Sequence, residues 1–132
     1  MAEDKFNSDE ATLSVDLSEA TQAVKENRFG EAIELFEIIL TNHPDNIDSL
    51  YLASVSSRYL KQFDDSKKYI ERLLLNAPDM GRAYQELGHI FRDMGDESQA
   101  VVHYRQACEL NPALLASWNS LYKYFVKNKN QP

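Results

Sequence analysis

Three of the four prolines in this chain, Pro44, Pro78 and Pro112, stand 34 residues apart. A fixed spacing of that size marks a supersecondary unit repeated along the chain, and it restricts the fold more than any composition does. Cutting the chain into 13–46, 47–80 and 81–114 puts each proline at position 32, and other columns then agree. Position 8 holds Ala20, Ser54 and Gly88, and position 20 holds Ala32, Ser66 and Ala100, all small. Position 24 holds Phe36, Ile70 and Tyr104, and position 17 holds Phe29, Phe63 and Glu97.

Inside a block the apolar spacing is helical. Tyr84, Leu87, Gly88 and Phe91 fall at i, i+3, i+4 and i+7, one stripe of a helix. A break follows at RDMGDES, where Gly95 ends the first helix and Asp96 caps the second. Ala100, Tyr104 and Ala107 form the second stripe, and Pro112 prevents that helix from running on. The first block breaks in register at KENRFGE and the second at LKQFDD. Each block is therefore expected to be two antiparallel helices that approach closely through the small residues. Such a hairpin cannot bury its stripe alone, so neighbours must stack into a solenoid.

The third block, GRAYQELGHIFRDMGDESQAVVHYRQACELNPAL, resembles a tetratricopeptide repeat through Tyr84, Leu87, Gly88, Phe91, Ala100, Tyr104, Ala107 and Pro112. The second block is looser, with Leu50, Ala53, Ser54, Ile70 and Pro78 in place and Ser57 where a large residue is usual. The first carries Asp16 and Glu19 at positions 4 and 7, a polar outer face suited to a terminal unit. The resemblance implies an all-α, right-handed superhelical solenoid of antiparallel helix hairpins. Its expected units are repeats at 13–46, 47–80 and 81–114, a terminal helix at 115–127 and a tail at 128–132. Residues 1–12 are expected to be a disordered or frayed lead. In 115–127, Trp118, Leu121 and Phe125 restart positions 4, 7 and 11, while Tyr122 takes position 8 and is expected to fill the space of an absent partner helix. That helix is expected to cap the third repeat or to meet another protein, a second copy included.

Charge and composition exclude several classes of function. The net charge of −7 argues against a phosphate-backbone binder, so no nucleic-acid partner is expected. No stretch reaches the ~18–20 apolar residues of a membrane span. The opening MAEDKFNSDE lacks the basic start and apolar core of a secretion signal, so a cytoplasmic location is expected. One cysteine, Cys108, permits no internal disulfide and reads as a half-buried hydrophobe. His43, His89 and His103 have no metal-ligand spacing, and no phosphate loop or nucleophile elbow is present. No enzyme chemistry, cofactor or metal is expected, and the carboxylates read as caps and solvated faces.

The resemblance further implies that first helices line a concave face through positions 2, 5, 9, 12 and 13. From the second block onward, that face gathers Arg58, Arg82, Arg92, Lys123 and Lys127 against Asp48 and Asp93. The expected groove comprises Tyr51, Val55, Arg58, Tyr59, Arg82, Gln85, His89, Arg92, Asn119 and Lys123. Arginine forks and tyrosine faces suit an acidic peptide, so the expected function is a protein–protein interaction scaffold. The family's clamp for chaperone tails maps onto Leu17, Thr21, Leu52, Arg82 and Glu86, of which only Arg82 carries the matching charge, so such tails are not the expected ligand. Two alternatives stand beside this reading. One is homo-oligomerisation, as a homodimer through the aromatic residues of 115–127. The other is an N-terminal accessory domain of a larger enzyme such as a sulfotransferase, because ACELNPALLASWNSL is similar to repeats ahead of such domains.

Overall fold

The computed structural model describes residue 13 and residues 16–129, and both the lead expected over 1–12 and the last three residues of the tail lie outside them. Among the described residues all regular structure is helical. Helix α1 occupies residues 16–25. It is followed by α2 (Phe29–Asn42), α3 (Ile47–Tyr59), α4 (Phe63–Asn76), α5 (Gly81–Asp93), α6 (Glu97–Leu110) and α7 (Leu115–Asn128).

The turn inside each hairpin has one construction, repeated three times. The second residue after the first helix's end takes a left-handed backbone: Asn27 at φ 61°, Lys61 at φ 62° and Gly95 at φ 87°. The next N–H then reaches back to the last turn, as in Arg28 N to Ala23 O, Gln62 N to Ser57 O and Asp96 N to Phe91 O, each at 2.8 Å. This is the Schellman closure, which satisfies carbonyls that a helix end leaves open. Asp96 also caps α6 by accepting from Gln99 N at 3.2 Å. The turns between hairpins are as regular. His43, Ala77 and Asn111 sit at extended φ between −134° and −145° ahead of their prolines, which disfavour helical backbone in the preceding residue.

Small residues set the helix separation inside each hairpin. The Ser54 and Ser66 hydroxyls lie 3.0 Å apart and each donates to the other's backbone carbonyl. A β-carbon at Gly88 would stand 2.5 Å from the Tyr104 ring, so the tyrosine lies directly on the α5 backbone. The core runs along the stack in three pools: Ala20, Ala23, Ala32, Phe36, Ile39 and Ala53; then Leu40, Leu50, Ile70, Leu73, Ala83, Leu87 and Ile90; then Ala100, Tyr104, Cys108 and Leu121.

Curvature follows from which backbones meet. Helix α3 approaches α5, and α5 approaches α7, whereas the backbones of α2, α4 and α6 do not approach one another. The helices that crowd together occupy the inner side of the curve. The first helix of each hairpin therefore lines the concave face.

Candidate functional site

On that inner face the arginines are treated differently. Arg58 is buried, and its Nε donates to Glu86 Oε1 at 2.5 Å while Nη1 donates to Asp93 Oδ2 at 2.9 Å. Only 9% of the Arg58 side chain and 2% of Glu86 remain exposed. Burial by itself would lower the Arg58 pKa, but Glu86 and Asp93 overcome it and hold the guanidinium above its ordinary value. Burial also raises the Glu86 carboxyl, against the pull of Arg58. Arg58 is thus closed within the wall between the second and third hairpins. Its remaining outward contact is with Tyr59, whose ring lies 4.8 Å from the guanidinium carbon and stacks on Phe29 at 4.7 Å.

Arg82 is different. It is exposed, lies 5.2 Å over the half-buried Tyr51 ring, and has no carboxylate partner among the described residues. Arg92 is exposed and pairs with Asp93 at 3.0 Å. Lys123 is exposed and, among the described residues, unpaired, whereas Lys127 meets Glu97 at 2.9 Å. The structure therefore leaves Arg82 and Lys123 free, shares Arg92 with Asp93, and takes Arg58 out of reach.

The remaining residues of the expected groove have structural contacts of their own. The Gln85 side-chain oxygen accepts from Ser117 N at 3.1 Å and Ser117 Oγ at 2.8 Å. That satisfies a first-turn N–H of α7, whose own N-cap residue, Leu114, supplies no side-chain bond. His89 Nδ1 meets Tyr104 Oη at 2.6 Å. Burial, helped by Arg92 and Arg58, pulls its pKa down to about 4, so the imidazole is neutral near pH 7. Val55 is half-buried, and Asn119 stands exposed at the far end.

A cleft of about 230 Å³ opens beside Arg92, bounded by Val101, Tyr104, Ser120, Lys123 and Tyr124 among others. Its position has a structural reason. Position 12 of one inner helix sits beside position 6 of the next. At the first junction these are Val24 and Leu52, both in one apolar cluster. At the second they are Arg58 and Glu86, joined by the buried ion pair. At the third they are Arg92 and Ser120, and the short hydroxyl leaves the cleft open.

Sequence reasoning missed Glu86 and Ser120. In the sequence Glu86 stands out only as a position of the family's chaperone-tail clamp, and nothing singles out Ser120. The available signal was the 28-residue offset from Arg58 to Glu86, which recurs from Arg92 to Ser120 and from Val24 to Leu52.

The family model described as tetratricopeptide repeat matches residues 81–114. Residues 81–114 are a tetratricopeptide repeat, and the whole chain has the fold of a tetratricopeptide-repeat solenoid. Its right-handed superhelix superposes on the Sgt2 tetratricopeptide domain from Aspergillus fumigatus with a TM-score of 0.80 at 22% identity, covering 92% of this chain and 83% of that one. The first tetratricopeptide domain of Spaghetti (RPAP3), solved bound to the HSP90 peptide SRMEEVD, gives 0.79 at 18% identity over 89% of this chain and 94% of that one. A Thermobaculum terrenum O-GlcNAc transferase mutant gives 0.81 at 20% identity, and here 89% of this chain spans 22% of the other. At these identities the likeness is one of fold.

Among the described residues no group of three or more His, Cys, Asp or Glu is placed to hold a metal ion. Likewise, none of the described helices is long and apolar enough to cross a membrane. Cys108 is buried, and burial raises its thiol pKa, which disfavours the thiolate a nucleophile needs.

Proposed function

We propose that this tetratricopeptide-repeat solenoid is a protein-interaction module whose concave face holds an acidic peptide, without chemistry of its own. The open cleft beside Arg92 carries the reading. There the register sets Arg92 beside the short Ser120 side chain, with open space next to the guanidinium. Arg82 on Tyr51 and Lys123 extend the same positive strip along α5 and α7. A guanidinium held on an aromatic face is pre-organised for a carboxylate and loses little freedom on binding. The reading is supported by one structural neighbour, solved bound to the HSP90 peptide SRMEEVD, which ends on an acidic residue. The family's chaperone-tail clamp is not the mode we propose here, since two of its positions hold the half-buried Leu52 and the buried Glu86.

Binding of a fluorescent acidic-peptide library, read by polarisation, tests this. Selected peptides should lose at least about tenfold in affinity to the Arg82→Glu, Arg92→Glu double variant, since a like charge replaces each attractive one. They should also weaken as salt is raised. Unchanged affinity in the double variant would remove the concave face from the function.

A further inference from the structure

Helix α7 repeats only half of the contacts that an inner helix makes. Its positions 3 and 7, Ser117 and Leu121, are buried against the third hairpin, as Ala83 and Leu87 of α5 are buried against the second. The other stripe is positions 4, 8 and 11. In α5 these are Tyr84, Gly88 and Phe91, the second packed under Tyr104 and the third stacked on His103 at 5.1 Å, both from α6. In α3 they are Leu50, Ser54 and Ser57, all buried, with Ser54 bonded to Ser66 of α4. In α7 they are Trp118, Tyr122 and Phe125, which stay 48%, 71% and 45% exposed. Tyr122 does not fold back to fill the gap as its position suggested. It points into solvent because no second helix stands there among the described residues to give it a wall. Leu115 and Val126 extend the exposed strip.

Contiguous apolar surface of this kind marks an interaction site. Its shape defines the occupant, because the same stripe receives an antiparallel helix in each hairpin below it. Its charge narrows the choice. Residues 115–132 hold Lys123, Lys127 and Lys129 and no acidic side chain. Lys127 is paired with Glu97, Lys123 and Lys129 have no carboxylate partner among the described residues, and Arg105 of α6 lies 5.2 Å over the Phe125 ring. A second copy of this chain would bring a like basic end against that rim.

We propose that the open face of α7 docks an acidic amphipathic helix of a partner protein, seated as the second helix of a fourth hairpin. Such a helix presents apolar anchors at i, i+3, i+4 and i+7 to the aromatic strip and its carboxylates to the lysine rim. The site uses another stripe of α7 than the concave strip, shares only Lys123 with it and does not depend on Arg82 or Arg92.

Trp118, the only tryptophan, lies in the strip and reports on its burial. The test titrates the full chain with stapled helical peptides lacking tryptophan, sharing one apolar stripe and flanked by either glutamates or lysines. Expected are a saturable blue shift of Trp118 emission and roughly tenfold tighter binding of the glutamate set, narrowing with salt. Tyr122→Glu should abolish the shift while leaving the thermal midpoint unchanged, and the Arg82→Glu, Arg92→Glu variant should bind the peptides as the parent does. The absence of a saturable shift, or equal binding of the two peptide sets, overturns the proposal. So does concentration-dependent dimerisation that Tyr122→Glu removes, which would make a second copy the occupant.

Discussion

Helix α5 is held on its two sides by opposite means. Toward α3 it offers Glu86 to the buried Arg58, a charged pair sealed from water. Toward α7 it offers Gln85 to Ser117, two neutral hydrogen bonds, with the nearby Lys127–Glu97 pair exposed. The backbone frame is the same at both junctions, and so is the register that sets position 12 against position 6. The difference lies in the one residue opposite the arginine. A carboxylate closes the second junction, and the Ser120 hydroxyl leaves the third open. A repeat scaffold thus keeps its architecture while a single position decides whether a junction is a closed wall or an open cleft.

Breaking the charged junction should have the largest effect. Glu86→Ala leaves the Arg58 guanidinium buried with only the partly exposed Asp93, and a buried pair broken from one side costs about 3–5 kcal/mol. Lys127→Ala, at the exposed pair that joins α7 to Glu97 of α6 beside the other junction, should cost less than about 0.5 kcal/mol. Urea denaturation measures both. Equal costs would mean that the buried pair holds the stack no more strongly than the exposed one.

A middle-sized effect separates the two helices that share a template. Gly88→Ala drives a β-carbon into the Tyr104 ring, which is itself bonded to His89 and cannot swing away freely, so a loss of about 1–3 kcal/mol is expected. At the same position of α7, Tyr122→Ala trims a side chain that touches little, and the change should stay within about 0.5 kcal/mol. Thermal unfolding of the two variants is the measurement. A large loss at Tyr122 would show that its face is already covered in the isolated chain.

The sequence made the hairpins legible because they rest on columns: prolines that stop helices, small residues where helices touch, and a periodic apolar stripe. It made the concave strip legible only as a set of residue types. Arg58 and Arg82 look alike in the chain, and nothing near either one says which is buried. Their fates are decided 28 or more residues away, by Glu86 reaching back to the earlier helix and by the absence of such a reach toward Arg82. Tyr122 carries the same lesson. Its position was correct and its burial was not, because burial depends on a neighbouring helix that a residue pattern cannot supply.

The smallest expected effect tests the turn that all three hairpins share. The left-handed position is filled by Gly95 in the third hairpin, where glycine is at home, but by Lys61 in the second. A side chain held left-handed costs about 1–2 kcal/mol, part of which is offset because glycine loses more freedom on folding. Lys61→Gly should therefore stabilise the chain by about 0.5–1 kcal/mol, and Gly95→Ala should destabilise it by about 1 kcal/mol. No atom lies within 4 Å of where a β-carbon at Gly95 would sit, so a loss there is conformational and not steric. Melting temperatures that move in opposite directions by a few degrees would establish the turn as backbone-governed in both hairpins. If Lys61→Gly instead lowered the melting temperature, the lysine side chain would have to hold the second turn through contacts of its own, and the two turns would be alike only in their dihedral angles.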